Sequence, residues 1–173
     1  MKNFLAFLYL SLPTIGLAQP QNNASPFLVR NTIYAEALGS GGFYSINYDR
    51  LVILRQKQVY GFRIGTSFYG KSSATVNLIG ELFTIVGKGN HHGDFGIGLT
   101  KVNQRGLDLG VSSSTSRYTT LYAVPRVSYR YQKPTGGLML RAGFTPIAKL
   151  TNRVDSTKFS FGPWLGLAVG YNF

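Results

Sequence analysis

The sequence has no cysteine, which excludes disulfides, thiolate nucleophiles and thiolate metal sites together. Histidine is nearly absent as well: His91 and His92 are the only two, and they are adjacent. Neighbouring positions on a strand point to opposite faces, so this pair is poorly placed to chelate one metal, and no metal or cofactor is expected. Beyond the N-terminus no stretch offers the roughly 18 to 20 uninterrupted apolar residues of a membrane helix, so any further insertion into a bilayer must use strands. Long helical patterns rich in Ala, Leu, Glu and Lys are missing too. Acidic residues number only 6 against 18 Lys and Arg, a formal charge of +12.

The composition that remains is rich in 21 Gly, 11 Tyr and 12 Phe, which favours a β protein. At the N-terminus, Lys2 precedes the apolar run Phe4 to Leu12, followed by Pro13 and then Gly16-Leu17-Ala18. A short basic region, an apolar core and small residues at the cleavage positions predict a signal peptide over 1–18, cut after Ala18. The apolar run is too short for a membrane anchor. Cleavage would leave 155 of the 173 residues, enough for one domain. The expected organisation is a short periplasmic lead over 19–30 and a β-barrel domain over 31–173. Asn23-Ala24-Ser25 matches a glycosylation triplet, which arises often by chance and is set aside.

The last thirteen residues organise the rest. With period two, Leu165, Leu167, Val169, Tyr171 and Phe173 share one face, while Trp164, Gly166, Ala168, Gly170 and Asn172 share the other. Left free in a soluble protein, such a strand would invite aggregation. In a closed transmembrane barrel it is paired on both sides with its apolar face against lipid. This pattern, ending on Phe173, resembles the C-terminal signal by which outer-membrane barrels are delivered to the barrel assembly machinery.

Seven further strands precede it. They are expected at 31–38, 43–51, 59–69, 75–86, 92–102, 118–132 and 138–148, with the last at 161–173. Gly39-Ser40-Gly41-Gly42 reads as a tight hairpin. A phosphate-cradling loop is rejected there because a strand follows, not a helix. The fourth strand alternates worst. The long polar segments Asn103 to Arg117 and Lys149 to Ser160 are expected as outer loops, and with both termini in the periplasm the two longest connections do face outward. Eight antiparallel strands of about ten residues give the arithmetic of the smallest outer-membrane barrel, an all-β, up-and-down architecture.

The mature chain as a whole resembles the small eight-stranded OmpA/OmpX-type barrels. Locally, Glu36 to Arg50, Tyr129 to Pro134 and Gly137 to Pro146 resemble a group of exported barrel proteins without an assigned activity. The resemblance implies an integral outer-membrane barrel of a Gram-negative cell, monomeric and non-enzymatic, with a structural or surface-interaction role.

A lipocalin-like soluble barrel alternates equally well but carries its apolar face inside. Residue type separates the two. One face here holds Glu36, Asp49, Arg63, Glu81, Asp94, Arg126, Arg130 and Arg141 with many Gly, and the other is almost uninterrupted Tyr, Phe, Leu, Ile and Val. Eight strands leave an interior only wide enough for side chains, so the charged face is expected as a filled polar core and the aromatics as interfacial girdles. A partial mismatch of Arg over acids would leave room for a narrow conductance.

Because the charges are spread over turns, loops and one strand face of an exported chain, the expected partner is outer-membrane lipid and lipopolysaccharide rather than nucleic acid. Lys101, Arg105, Arg117, Lys149, Arg153 and Lys158 would cluster at the outer rim. Lipid-modifying enzymes also use this architecture, and the only candidate site is His92 with Asp94, at the periplasmic end and so away from the outer leaflet. Two alternatives therefore stand beside the main expectation: a lipid-modifying barrel enzyme and a soluble periplasmic ligand-binding barrel.

Overall fold

A computed structural model describes residues 27–55, 57–70, 73–106, 117–150 and 161–173, without the side chains at 73, 74, 104–106, 117, 118 and 161. The expected signal peptide, the glycosylation triplet, Arg153 and Lys158 lie outside the described residues. Among the described residues there are ten strands: β1 (Asn31–Leu38), β2 (Tyr44–Leu54), β3 (Gln58–Tyr69), β4 (Ser73–Lys88), β5 (His91–Gly106), β6 (Arg117–Gln132), β7 (Gly137–Phe144), β8 (Ile147–Lys149), β9 (Phe161–Gly162) and β10 (Leu165–Asn172). Each pairs antiparallel with its neighbours, β1 pairs with both β2 and β10, and β5 pairs with both β4 and β6, so the sheet closes into a barrel, with only the short β9 paired on one side among the described residues. β8 continues β7 along β6, and β9 continues β10, which makes eight staves. The eight-stranded barrel expected from the sequence is the fold observed.

The strand bounds differ from expectation in instructive places. β4 and β5 each run sixteen residues, to Lys88 and Gly106. The poor alternation of β4 has a simple cause: its lumen-facing set is Thr75, Asn77, Ile79, Glu81, Phe83 and Ile85, half of it apolar, so hydropathy alternates less than geometry does. The seventh and eighth staves are not continuous as expected. They break at Thr145-Pro146 and at Pro163-Trp164, where proline cannot donate to the ladder. Thr145 N donates to Trp164 O at 2.8 Å and ties the two breaks together. Pro125, in the middle of β6, faces the same gap, between the Val127–Phe144 and Ala123–Ala148 pairs.

The wall is also uneven in height. β1 has eight residues where β4, β5 and β6 have sixteen. On the low side, Gly39–Gly41 form not a hairpin turn at the rim, as the sequence suggested, but a 3-10 turn folded into the lumen and buried. Gly39 at φ 72° and Gly42 at φ 85° permit the reversal.

At the opposite, terminal end, Asn31 and Phe173 exchange backbone hydrogen bonds at 3.0 and 2.8 Å. The end of the expected lead belongs to the barrel: Leu28 N donates to Pro134 O, and Phe27 is buried among Leu51, Val59, Phe83 and Ile85. Outside, every stave exposes apolar side chains, among them Ile33, Ile46, Ile64, Leu82, Ile97, Val127, Leu140 and Leu167, 43–68% exposed. Tyr48, Tyr60, Tyr129, Tyr131, Tyr171 and Phe173 lie on the outer face within a few residues of the terminal-end strand tips, the place of an interfacial girdle.

Candidate functional site

The period of two carries every second residue of each strand inward. At mid-height this brings Glu36 (β1), Asp49 (β2), Arg63 (β3), Glu81 (β4), Asp94 (β5), Arg126 and Arg130 (β6) and Arg141 (β7) into one layer, each 4% exposed or less. These are the eight residues singled out from the sequence. The ion pairs join them in a closed circuit in which signs alternate. Arg63 bridges Glu36 at 2.5 Å and Glu81 at 3.1 Å. Arg126 bridges Glu81 and, at 2.9 Å, Asp94. Arg130 bridges Asp94 at 3.5 Å and Asp49 at 2.8 Å. Arg141 closes the circle to Asp49 at 3.8 Å and Glu36 at 2.9 Å. Four guanidinium groups thus meet four carboxylates, and the expected excess of Arg is not present in the layer. These four are all the carboxylates among the described residues.

Aromatic rings and neutral polar groups complete the layer. The Tyr34 hydroxyl donates to Asp49 Oδ1 at 2.8 Å and accepts from Arg141 Nη2 at 3.2 Å. The guanidinium of Arg141 stands 4.7 Å from the centre of the Tyr34 ring, and that of Arg130 stands 5.7 Å from Phe83. Asn47 Oδ1 accepts from Arg63, and Gln132 Oε1 from Arg130. Space for so many long side chains comes from glycine on the same face. A Cβ at Gly96 would lie 2.0 Å from Glu81 Oε1.

The layer is closed above and below. On the terminal side lie Phe83 and the cluster around Phe27. These apolar lumen residues depart from the polar inner face expected from the sequence, because the strand that carries Phe83 alternates poorly in hydropathy. On the far side, the inward turn places Ser40 Oγ 3.3 Å from Arg63 Nη1, while Gly41 O accepts from Ser67 and Asn77. Chemically the layer is a self-neutralised polar core. Each carboxylate is engaged by at least two arginines, so none is left as a free base.

The histidines separate as their adjacency requires. His91 is outside, 2.5 Å from the Tyr129 hydroxyl, and His92 is inside, against the Phe27 ring with Nε2 3.2 Å from Gln132 O. Asp94 is directed to Arg126 and Arg130, so the suggested His92–Asp94 couple is not formed.

Of the basic rim residues, Lys101 is exposed on the outer face. Lys149 belongs to β8, not to a loop, and is paired with Tyr122. Arg105, next to the end of β5, and Arg117, which begins β6, stand opposite each other in register. A second basic set went unremarked in the sequence: Arg30, Arg55, Lys57, Lys88 and Lys133 are all exposed at the terminal end.

No protein-family model and no curated protein matches the sequence. Among solved structures the chain is similar to the N-terminal β-barrel domain of OprF from Pseudomonas aeruginosa, at 15% identity over 84% of this chain and 96% of that one, with a TM-score of 0.53. A weaker likeness, TM-score 0.38, is to the attachment invasion locus protein Ail of Yersinia pestis, solved with the heparin analogue sucrose octasulfate, at 12% identity over 84% of this chain and 97% of that one. The closed circuit of eight staves, apolar outside and charged within, has the fold of the small OmpA/OmpX-like outer-membrane barrels.

Proposed function

We propose that the protein is an integral outer-membrane barrel of a Gram-negative bacterium, exported by residues 1–18, with a non-enzymatic structural or surface-interaction role. One observation carries this reading: every stave turns apolar side chains outward, while the four described carboxylates are all inside. In water that arrangement is inverted, since exposed apolar area and buried charge both cost free energy. In lipid it is the stable one. The Leu165 to Phe173 stripe supports delivery by the barrel assembly machinery, and the lumen, filled from Phe27 to the Gly39–Gly41 turn, supports a scaffold over a wide pore.

With the termini in the periplasm, the far end faces outward and its basic residues meet lipopolysaccharide phosphates. The register is consistent with this, since it brings Arg105 and Arg117 to opposed positions at that end. Cell fractionation followed by electrophoresis of heated and unheated samples tests the location. Recovery only with detergent, and a faster band before heating, is the expected result. Recovery in the soluble periplasm without a heat shift overturns it. Binding to lipopolysaccharide should fall with salt and on neutralising Lys101, Arg105 and Arg117; binding indifferent to those changes removes the surface role.

A further inference from the structure

Beyond the inward turn, the far half of the lumen holds a cavity of about 340 Å³, within the lower range of small-molecule sites. Its floor is Ser40 and Gly42, and Tyr69, Asn77, Tyr122 and Trp164 stand in its wall. Among the described residues no charged side chain lines it, and the charged layer beneath is neutralised within itself and separated by the turn.

Most polar groups around the cavity already have partners. Thr100 Oγ1 donates to Ser40 O at 3.0 Å, and Asn77 Nδ2 donates to Gly41 O at 2.8 Å and to the Tyr69 hydroxyl at 3.1 Å. Trp164 O accepts from Thr145 N. Two do not. Asn77 Oδ1, on a side chain 2% exposed, and the Trp164 indole Nε1 are buried without a hydrogen-bond partner among the described residues. An unsatisfied buried acceptor or donor is costly, so a wall that holds one of each beside aromatic rings is matched to a particular kind of guest.

We propose that this vestibule binds a small uncharged molecule with an apolar ring, which offers one acceptor to the Trp164 indole N–H and one donor to Asn77 Oδ1. A primary carboxamide on a ring has that pattern. A carboxylate of the same shape lacks the donor and brings a charge into a neutral, largely apolar site, which disfavours it.

The test uses the single tryptophan of the chain. The full barrel, ¹⁵N-labelled and folded in detergent micelles, has one indole N–H resonance, and it belongs to Trp164. Titration with benzamide should move that resonance saturably. Benzoate and toluene should bind about tenfold more weakly or worse, as expected for one hydrogen bond lost in a buried site. Asn77→Leu should weaken benzamide by a similar factor. In case that variant does not fold, Trp164→Phe keeps the ring but removes the donor, and saturation transfer to benzamide reads the loss. A linear drift with all three compounds, equal affinity for benzoate, or unchanged binding in both variants would each overturn the proposal.

Discussion

Two layers of the same lumen are built on different rules. The charged circuit and the apolar cluster at the terminal end both draw on β2, β3 and β4, a few residues apart: Asp49 and Leu51, Arg63 and Val59, Glu81 and Phe83. In the cluster, contacts are undirected and a lost methyl group costs in proportion to its size. In the circuit, each charge depends on two opposite neighbours, so removing one strands two more. A filled barrel can thus be tolerant at its mouth and intolerant at its middle.

The largest effect is expected from breaking the circuit. Arg63→Met deprives both Glu36 and Glu81 of a partner and should cost about 3–5 kcal/mol, read as a drop in the urea midpoint of the folded, faster-migrating band. Removing Glu81 as well should cost much less than the two single changes added together, by a coupling above about 1 kcal/mol; strict additivity would deny that the layer acts as a unit.

The outer face of the same strand sharpens the contrast. One residue along from Glu81, Leu82 is 68% exposed, and Leu82→Arg should cost about 2–4 kcal/mol in lipid vesicles, where a soluble barrel would accept it freely. In the apolar cluster, Leu51→Ala should cost about 2 kcal/mol, since the mouth can relax around it. Gly39→Ala should cost about 1–2 kcal/mol from a backbone at φ 72°, plus whatever is lost when its Cβ, 2.6 Å from the Glu36 carboxyl carbon, displaces that carboxylate from Arg63 and Arg141.

Much of this could be read in advance. Strict alternation in β2 and β5 gave Ser45, Asn47 and Asp49, or Asp94 and Thr100, their inward faces, and the same reading of the other strands collected the remaining six members of the circuit. Their pairing could not be read, because partners such as Glu36 and Arg141 stand 105 positions apart in sequence, and only closure of the wall sets their register. The Gly39 turn was legible as a reversal but not as an inward one, since its direction is set by the unequal height of β1 and β4. Phe27, Leu51 and Phe83 were missed for another reason: an apolar lumen residue and an apolar lipid-facing one are the same letter, and only position distinguishes them.

The circuit also bears on how the cylinder shuts. Arg141 sits on β7 and Glu36 on β1, the two staves that flank β10. In an unclosed sheet β1 and β10 would form the two margins, and Arg141, one stave in from β10, would keep Asp94 at 3.8 Å but could reach neither Glu36 nor Asp49. The arch gains its last stone only when β1 meets β10, and until then Arg141, Glu36 and Asp49 each lack part of their compensation. Sealing adds both missing ion pairs at once, so the first and last segments of the barrel latch together.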